Sequence, residues 1–118
     1  MLQSMEKRVG INEQDFTRAK REKLSMCHSG LGMVYFQRGK YSDSIAELEQ
    51  AVRLAATPDP VDFYVLGMAY QNAKRYPDAV TAFGHCTESA GPMRARCQQN
   101  LDLVKKLAAD DRPSLIKR

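Results

Sequence analysis

The order of apolar and polar positions along the 118 residues predicts helices almost throughout. From Asn12 to Arg38 no proline intervenes, and Phe16, Leu24, Cys27, Leu31, Val34 and Tyr35 mark one side at spacings of three, four and their multiples. That spacing belongs to an amphipathic helix. Asn12 is a suitable N-cap, and Asp15 suits the positive end of the helix dipole. Gly39 ends the helix in the manner of a left-handed cap. Ile45, Leu48, Ala51, Val52 and Leu54 form the stripe of a second helix over 42–54, with Glu49 and Arg53 as a favourable i,i+4 pair. Asp59 followed by Pro60 opens a third helix that runs to about Ala73. Pro77 opens a fourth that runs to about Ser89. Gly91 and Pro92 repeat the device for a fifth, whose stripe is Met93, Cys97, Leu101, Val104 and Ala108, with Arg94, Gln98, Lys105 and Lys106 opposite. The expected fold is therefore all-α, with about five helices.

Superimposed on the helical period is a longer one. Leu31-Gly32-Met33-Val34-Tyr35 recurs as Leu66-Gly67-Met68-Ala69-Tyr70, an offset of 35 residues. The same offset pairs Lys40 with Arg75, Tyr41 with Tyr76, Asp43 with Asp78, Ser44 with Ala79, Leu48 with Phe83 and Ala51 with Cys86. So many positions of like size at one offset constitute an internal repeat. An isolated helical hairpin cannot bury its apolar face and stacks on the next one. Gly32 and Gly67 are placed where two helices approach too closely for a Cβ. Leu31 and Leu66 are expected in the core of each pair, and Tyr35 and Tyr70 supply a large ring one turn on. Leu48 and Phe83 come from the facing helix, and Ala51 and Cys86 are the small residues at the crossing. The fifth helix lacks the Leu-Gly-Tyr signature and reads as a cap over the last repeat.

This pattern, His28-x2-Leu31-Gly32-x2-Tyr35 with Ser44-x3-Leu48, then Phe63-x2-Leu66-Gly67-x2-Tyr70 with Ala79-x3-Phe83, resembles the tetratricopeptide repeat. The resemblance covers about residues 25–92 and implies a right-handed superhelix of helical hairpins. It divides the chain into an arm or frayed helix over 1–11, a repeat domain over 12–109 and a flexible tail over 110–118. Within the domain, repeat one covers about 25–58, repeat two about 60–92 and the capping helix about 92–109. His28 in place of a large apolar residue and Ser44 in place of alanine suggest a looser first repeat. The period also carries one residue more than the family's, which suits a longer loop at 55–59.

The family resemblance also implies a function. Such arrays act as interaction scaffolds that hold a peptide or helix of another protein in a concave groove. The groove-facing positions here are Met26, Ser29, Gly30, Met33, Phe36 and Gln37 from the first pair, and Val61, Tyr64, Val65, Met68, Gln71 and Asn72 from the second. This inventory is apolar, methionine-rich and free of Lys and Arg. The Lys/Asn/Arg clamp that chaperone-adaptor members use for a peptide carboxylate is missing, since Ser29, Met33 and Val65 stand in its place. Methionines suit a groove that takes an amphipathic helix. Phe36 and Tyr64 are the expected anchors. Self-association into a homodimer, or cover by residues 1–16, are the alternatives for this surface.

Composition narrows the field only slightly. The net charge of +4 and pI near 9.1 permit an acidic partner. A nucleic acid or other polyanion would use Arg18, Lys20, Arg21 and Lys23, with Arg94, Arg96, Lys105 and Lys106. Glu22 and Asp102 interrupt these clusters, and no aromatic residue interleaves to stack on bases, so this reading ranks second. A structural segment of a larger repeat protein is a third. No run approaches the ~18 apolar residues of a membrane helix, and the first ten residues do not read as a secretory signal. Three cysteines, an odd number, argue against a disulfide framework and suggest a reducing, cytoplasmic setting. Cys27-His28, His85-Cys86 and Cys97 are candidate zinc ligands. Neighbours on a helix point about 100° apart, so each dipeptide offers one ligand to any one site. No metal, cofactor, phosphate loop or catalytic constellation is expected, and the chain reads as non-enzymatic.

Overall fold

The computed structural model describes residues 12–110, so the expectations for 1–11 and 111–118 lie outside the described residues. Five helices follow in order: α1 (Glu13–Gln37), α2 (Tyr41–Leu54), α3 (Pro60–Asn72), α4 (Tyr76–Thr87) and α5 (Met93–Asp110). No strand is present among the described residues. Each helix packs on the next, while α1 meets α3 and α3 meets α5 along one side. This is the arrangement of stacked helical hairpins.

Local chemistry explains the boundaries. The Asn12 side chain accepts the Asp15 N–H at 2.8 Å, and Asp59 accepts the Val61 N–H at 2.9 Å in front of Pro60. Both satisfy amides that a helix start leaves without partners. The turns closing α1 and α3 are copies of each other. Lys40 N–H reaches Tyr35 O at 2.9 Å and Arg75 N–H reaches Tyr70 O at 2.8 Å, while Gly39 and Lys74 each donate to the third residue back at 3.0 Å. The turn needs a left-handed residue, which is Gly39 (φ 75°) in the first copy and Lys74 (φ 61°) in the second.

The core is built by the repeat. Leu48, Ala51, Ala69, Ala79, Phe83, Cys86, Cys97 and Val104 are fully enclosed. A Cβ on Gly32 would lie 2.5 Å from Leu48 Cγ, and one on Gly67 would lie 2.7 Å from two carbons of the Phe83 ring. Both glycines are therefore sites of close helix approach. Ser44 does not loosen the first repeat, as its identity suggested. Its buried hydroxyl donates to Gly32 O at 2.7 Å and ties the two helices together. His28 likewise has a partner, Glu47, at 2.6 Å.

Two sequence expectations change. Leu31 does not fill a pair's core: it is 47% exposed, whereas Leu66 is 5% exposed. The Leu66 side of α3 is covered by the preceding hairpin, and α1 has no hairpin before it among the described residues. Second, Cys86 and Cys97 form a disulfide, and Cys27 is free. The odd count left one thiol over without preventing the other two from meeting. Cys86 lies on the buried face of α4 and Cys97 on that of α5, with their Cα atoms 5.9 Å apart. The fifth helix also carries a face in register with that of α3. Cys97, Leu101 and Val104 stand 35 residues after Asp62, Leu66 and Ala69, and all six are buried. The fifth helix thus occupies the first-helix position of a third repeat. Its next face, with Ala95, Gln99, Asp102 and Lys106, is exposed and mostly polar.

Candidate interaction groove

The residues proposed for the groove lie on α1 and α3, which meet directly through Ser29 and Asp62. Of its large apolar residues, Met26 is 72% exposed and Val61 37% exposed. Ser29, Met33, Phe36, Tyr64, Val65, Met68 and Gln71 are half-buried, and Gly30, Gln37 and Asn72 are exposed. Phe36, Tyr64, Val65 and Met68 also pack against the core. Phe36 meets Tyr41 edge-on at 5.6 Å, and the Tyr64 ring lies 6.1 Å from Phe83. These two rings therefore help hold the framework. The exposed large apolar side chains among them are Met26 and Val61.

One feature of the site was not foreseen. Asp62 is 5% exposed and accepts the Ser29 hydroxyl at 2.6 Å, joining α1 to α3 across the floor. Burial raises its pKa from the usual carboxylate value, the Ser29 hydrogen bond opposes that rise, and the nearby Asp59 charge adds to it. Glu22, Ser25, Met26, Ser29, Gly30, Ala55, Thr57, Asp59 and Asp62 line a cleft of about 440 Å³ here. This end of the groove is acidic. The signal in the sequence was faint: Asp62 pairs with Cys27 at the repeat offset, a position that is otherwise part of an apolar stripe. Arg96 of α5, placed among the basic residues of the last helix, has its guanidinium 6.0 Å from the centre of the Tyr64 ring. The groove is therefore not free of cationic groups once α5 is counted.

Other charged groups are engaged in packing. Arg21 donates to Arg53 O, a C-terminal carbonyl of α2, at 3.3 Å, and Glu22 accepts the Ala56 N–H at 2.9 Å. On the opposite side of α3 the Tyr70 hydroxyl donates to Glu49. Burial, then that hydrogen bond and the Glu49 charge, push the Tyr70 pKa well above the ordinary phenol value. Among the described residues no cluster of three or more His, Cys, Asp or Glu side chains could hold a metal. No described helix is long and apolar enough to cross a membrane.

Residues 28–58 match the family model described as Tetratricopeptide repeat. That stretch is similar to a single tetratricopeptide repeat. The match falls on the second half of α1, on α2 and on the loop that follows. The α3–α4 hairpin repeats the same glycine crossing and turn geometry. No curated protein and no solved structure matches the chain. Tetratricopeptide repeats are typically interaction modules rather than enzymes, which points to a protein–protein interaction scaffold.

Proposed function

We propose that this tetratricopeptide domain binds an amphipathic helix or extended segment of another protein along the α1/α3/α5 groove. The observation that carries the reading is an open apolar side chain, Met26, lining a cleft with the carboxylates of Glu22, Asp59 and Asp62, while exposed Val61 adjoins Asp62 in the chain. Met26, with 72% of its surface in water, is open to a partner. Methionine adapts its shape to a partner's side chains. The adjoining carboxylates favour a partner with a basic residue just outside its apolar stripe. Gln37, Gln71 and Asn72 lie toward the helix C-termini and offer neutral hydrogen-bonding groups.

The test is capture from a nuclease-treated lysate of the source organism by the native domain, a Met26→Glu/Val61→Glu variant and a Lys105→Glu/Lys106→Glu control. Circular dichroism first establishes that all three are equally helical. A protein retained by native and control but lost by the groove variant supports the reading. Equal retention by all three, or retention lost only in the lysine variant, refutes it.

A further inference from the structure

The 35-residue offset carries the groove face onto α5. Met26 of α1, Val61 of α3 and Arg96 of α5 hold equivalent positions, and so do Met33, Met68 and Leu103. Contact supports this register, because the Arg96 guanidinium lies 6.0 Å from the centre of the Tyr64 ring. Leu103 is 46% exposed, so the part that α5 adds is open and includes apolar surface. Charge reverses along the face. Asp59 caps α3 and Asp62 sits in its first turn, and with Glu22 of α1 they line the cleft between α1 and α3. At the same offset α5 has Arg94 where α3 has Asp59, and Arg96 where α3 has Val61. Both arginines are exposed, and the first turn of α5 holds no acidic residue. Among the described residues neither arginine forms an ion pair.

Charge complementarity decides what fits. A uniformly basic segment would bring like charge against Arg94 and Arg96, and a uniformly acidic one would bring it against Glu22, Asp59 and Asp62. Like charges juxtaposed across an interface are costly, so both are disfavoured. A segment with a basic residue on one side of an apolar residue and an acidic residue on the other matches the whole surface. Its cation faces the carboxylates, its apolar side chain lies over Val61 and the Tyr64 ring, and its carboxylate meets the two arginines. Arginine forks match the two oxygens of a carboxylate. The start of α5 is also the positive end of that helix's dipole, which favours the same anion. Packed helices lie about 8–10 Å apart, so two sites one helix apart are separated by roughly 10 Å. Residues i and i+4 of an extended chain lie on one side and span roughly 13 Å. Residues i and i+7 of a helix span roughly 10 Å.

We propose that the partner segment carries both charges and lies across α1, α3 and α5, its basic residue at the Glu22/Asp59/Asp62 cleft and its acidic residue on Arg94 and Arg96. This rests on the groove reading above, and the experiment separates the two. A random displayed-peptide library is selected on the native 118-residue chain. Enriched peptides are then titrated by fluorescence anisotropy against native, Met26→Glu/Val61→Glu and Arg94→Glu/Arg96→Glu proteins. Glutamates suit the first turn of a helix, so the arginine variant should keep its fold, which circular dichroism checks. The enriched peptides are expected to carry a basic and an acidic residue at one of the two spacings. They should lose about tenfold in affinity for the arginine variant and regain it when their acidic residue is replaced by lysine. A merely structural role of the arginines would not produce that rescue. Peptides that need Met26 and Val61 but carry no acidic residue, or that bind the arginine variant unchanged, overturn the proposal and leave the groove reading standing. Peptides indifferent to Met26→Glu/Val61→Glu, or a selection that enriches none, overturn both. Binding that appears only after residues 1–11 or 111–118 are removed makes one of those segments the occupant and overturns the proposal. A chain that sediments as a dimer and is dispersed by Met26→Glu/Val61→Glu has a second copy in the groove, which overturns it likewise.

Discussion

Replacing Gly67 with alanine tests the packing of the repeat at its tightest point. The new Cβ would lie 2.7, 2.7 and 2.8 Å from three carbons of the Phe83 ring. Ordinary carbon–carbon contacts lie at about 3.5–4.0 Å, so roughly 1 Å of displacement is required. Phe83 is fully enclosed and has nowhere to swing, so α3 and α4 must part. Overpacking of this kind costs about 1–3 kcal/mol. Alanine recovers up to about 1 kcal/mol because glycine is a poor helix former. The net expectation is a loss of about 1–2 kcal/mol. Gly30 is the internal control, since it is also helical but has nothing within 4 Å of its Cβ position. Gly30→Ala should therefore stabilise by about 0.5–1 kcal/mol. Urea titration followed by far-ultraviolet circular dichroism reads both, and 1 kcal/mol corresponds to a Tm change of about 4–8 °C in a domain of this size. If Gly67→Ala stabilises as Gly30→Ala does, the helices do not approach as described and the assignment of Gly67 to the crossing is wrong.

Lys74 adopts a left-handed conformation where the first repeat has Gly39. Lys74→Gly should raise stability by about 1 kcal/mol, and Gly39→Ala should lower it by a similar amount, in the same urea assay. Reducing the Cys86–Cys97 bond, which closes a separation of 11 residues, should cost about 2–3 kcal/mol, read as a lower Tm with reductant. Cys27→Ser should leave that sensitivity unchanged. Asp62 has a folded pKa raised above 3.8, so its contribution to stability is fully present below that value and is lost as pH rises through the folded pKa. Asp62→Asn keeps an acceptor for Ser29, so it should stabilise the domain at neutral pH and remove the fall in stability between 3.8 and the raised folded pKa. A pH series of urea midpoints on both proteins checks the sign.

Helix positions were legible because their determinants are local. Asn12, Asp59, Pro60 and Gly39 announce ends through capping and backbone preference, and the observed ends lie within two residues of those expected. Gly32 and Gly67 were legible because the 35-residue offset places each opposite a large residue of the facing helix. What the sequence withheld depended on neighbours. The periodicity of α1 shows that Leu31 and Val34 share an apolar face, but burial needs a hairpin on that face. Cysteine parity describes a count, whereas Cys86 and Cys97 pair because two buried faces meet. The third copy of the stacking face escaped notice because its helix ends the array. Where a continuing repeat has Gly67 and Tyr70, α5 has Asp102 and Lys105, both exposed to water. Asp62 looked like a first-turn carboxylate, and only the approach of Ser29 makes it part of the groove floor.

The most direct test of the groove is selection from a displayed peptide library on the native domain, followed by titration of enriched peptides against native and Met26→Glu/Val61→Glu proteins at low and moderate salt. The account predicts amphipathic sequences with a basic residue beside the apolar stripe, a loss of affinity of about tenfold or more in the variant, and only a modest response to salt. Peptides that bind both proteins equally, or whose binding collapses with salt as a polyanion's would, contradict it.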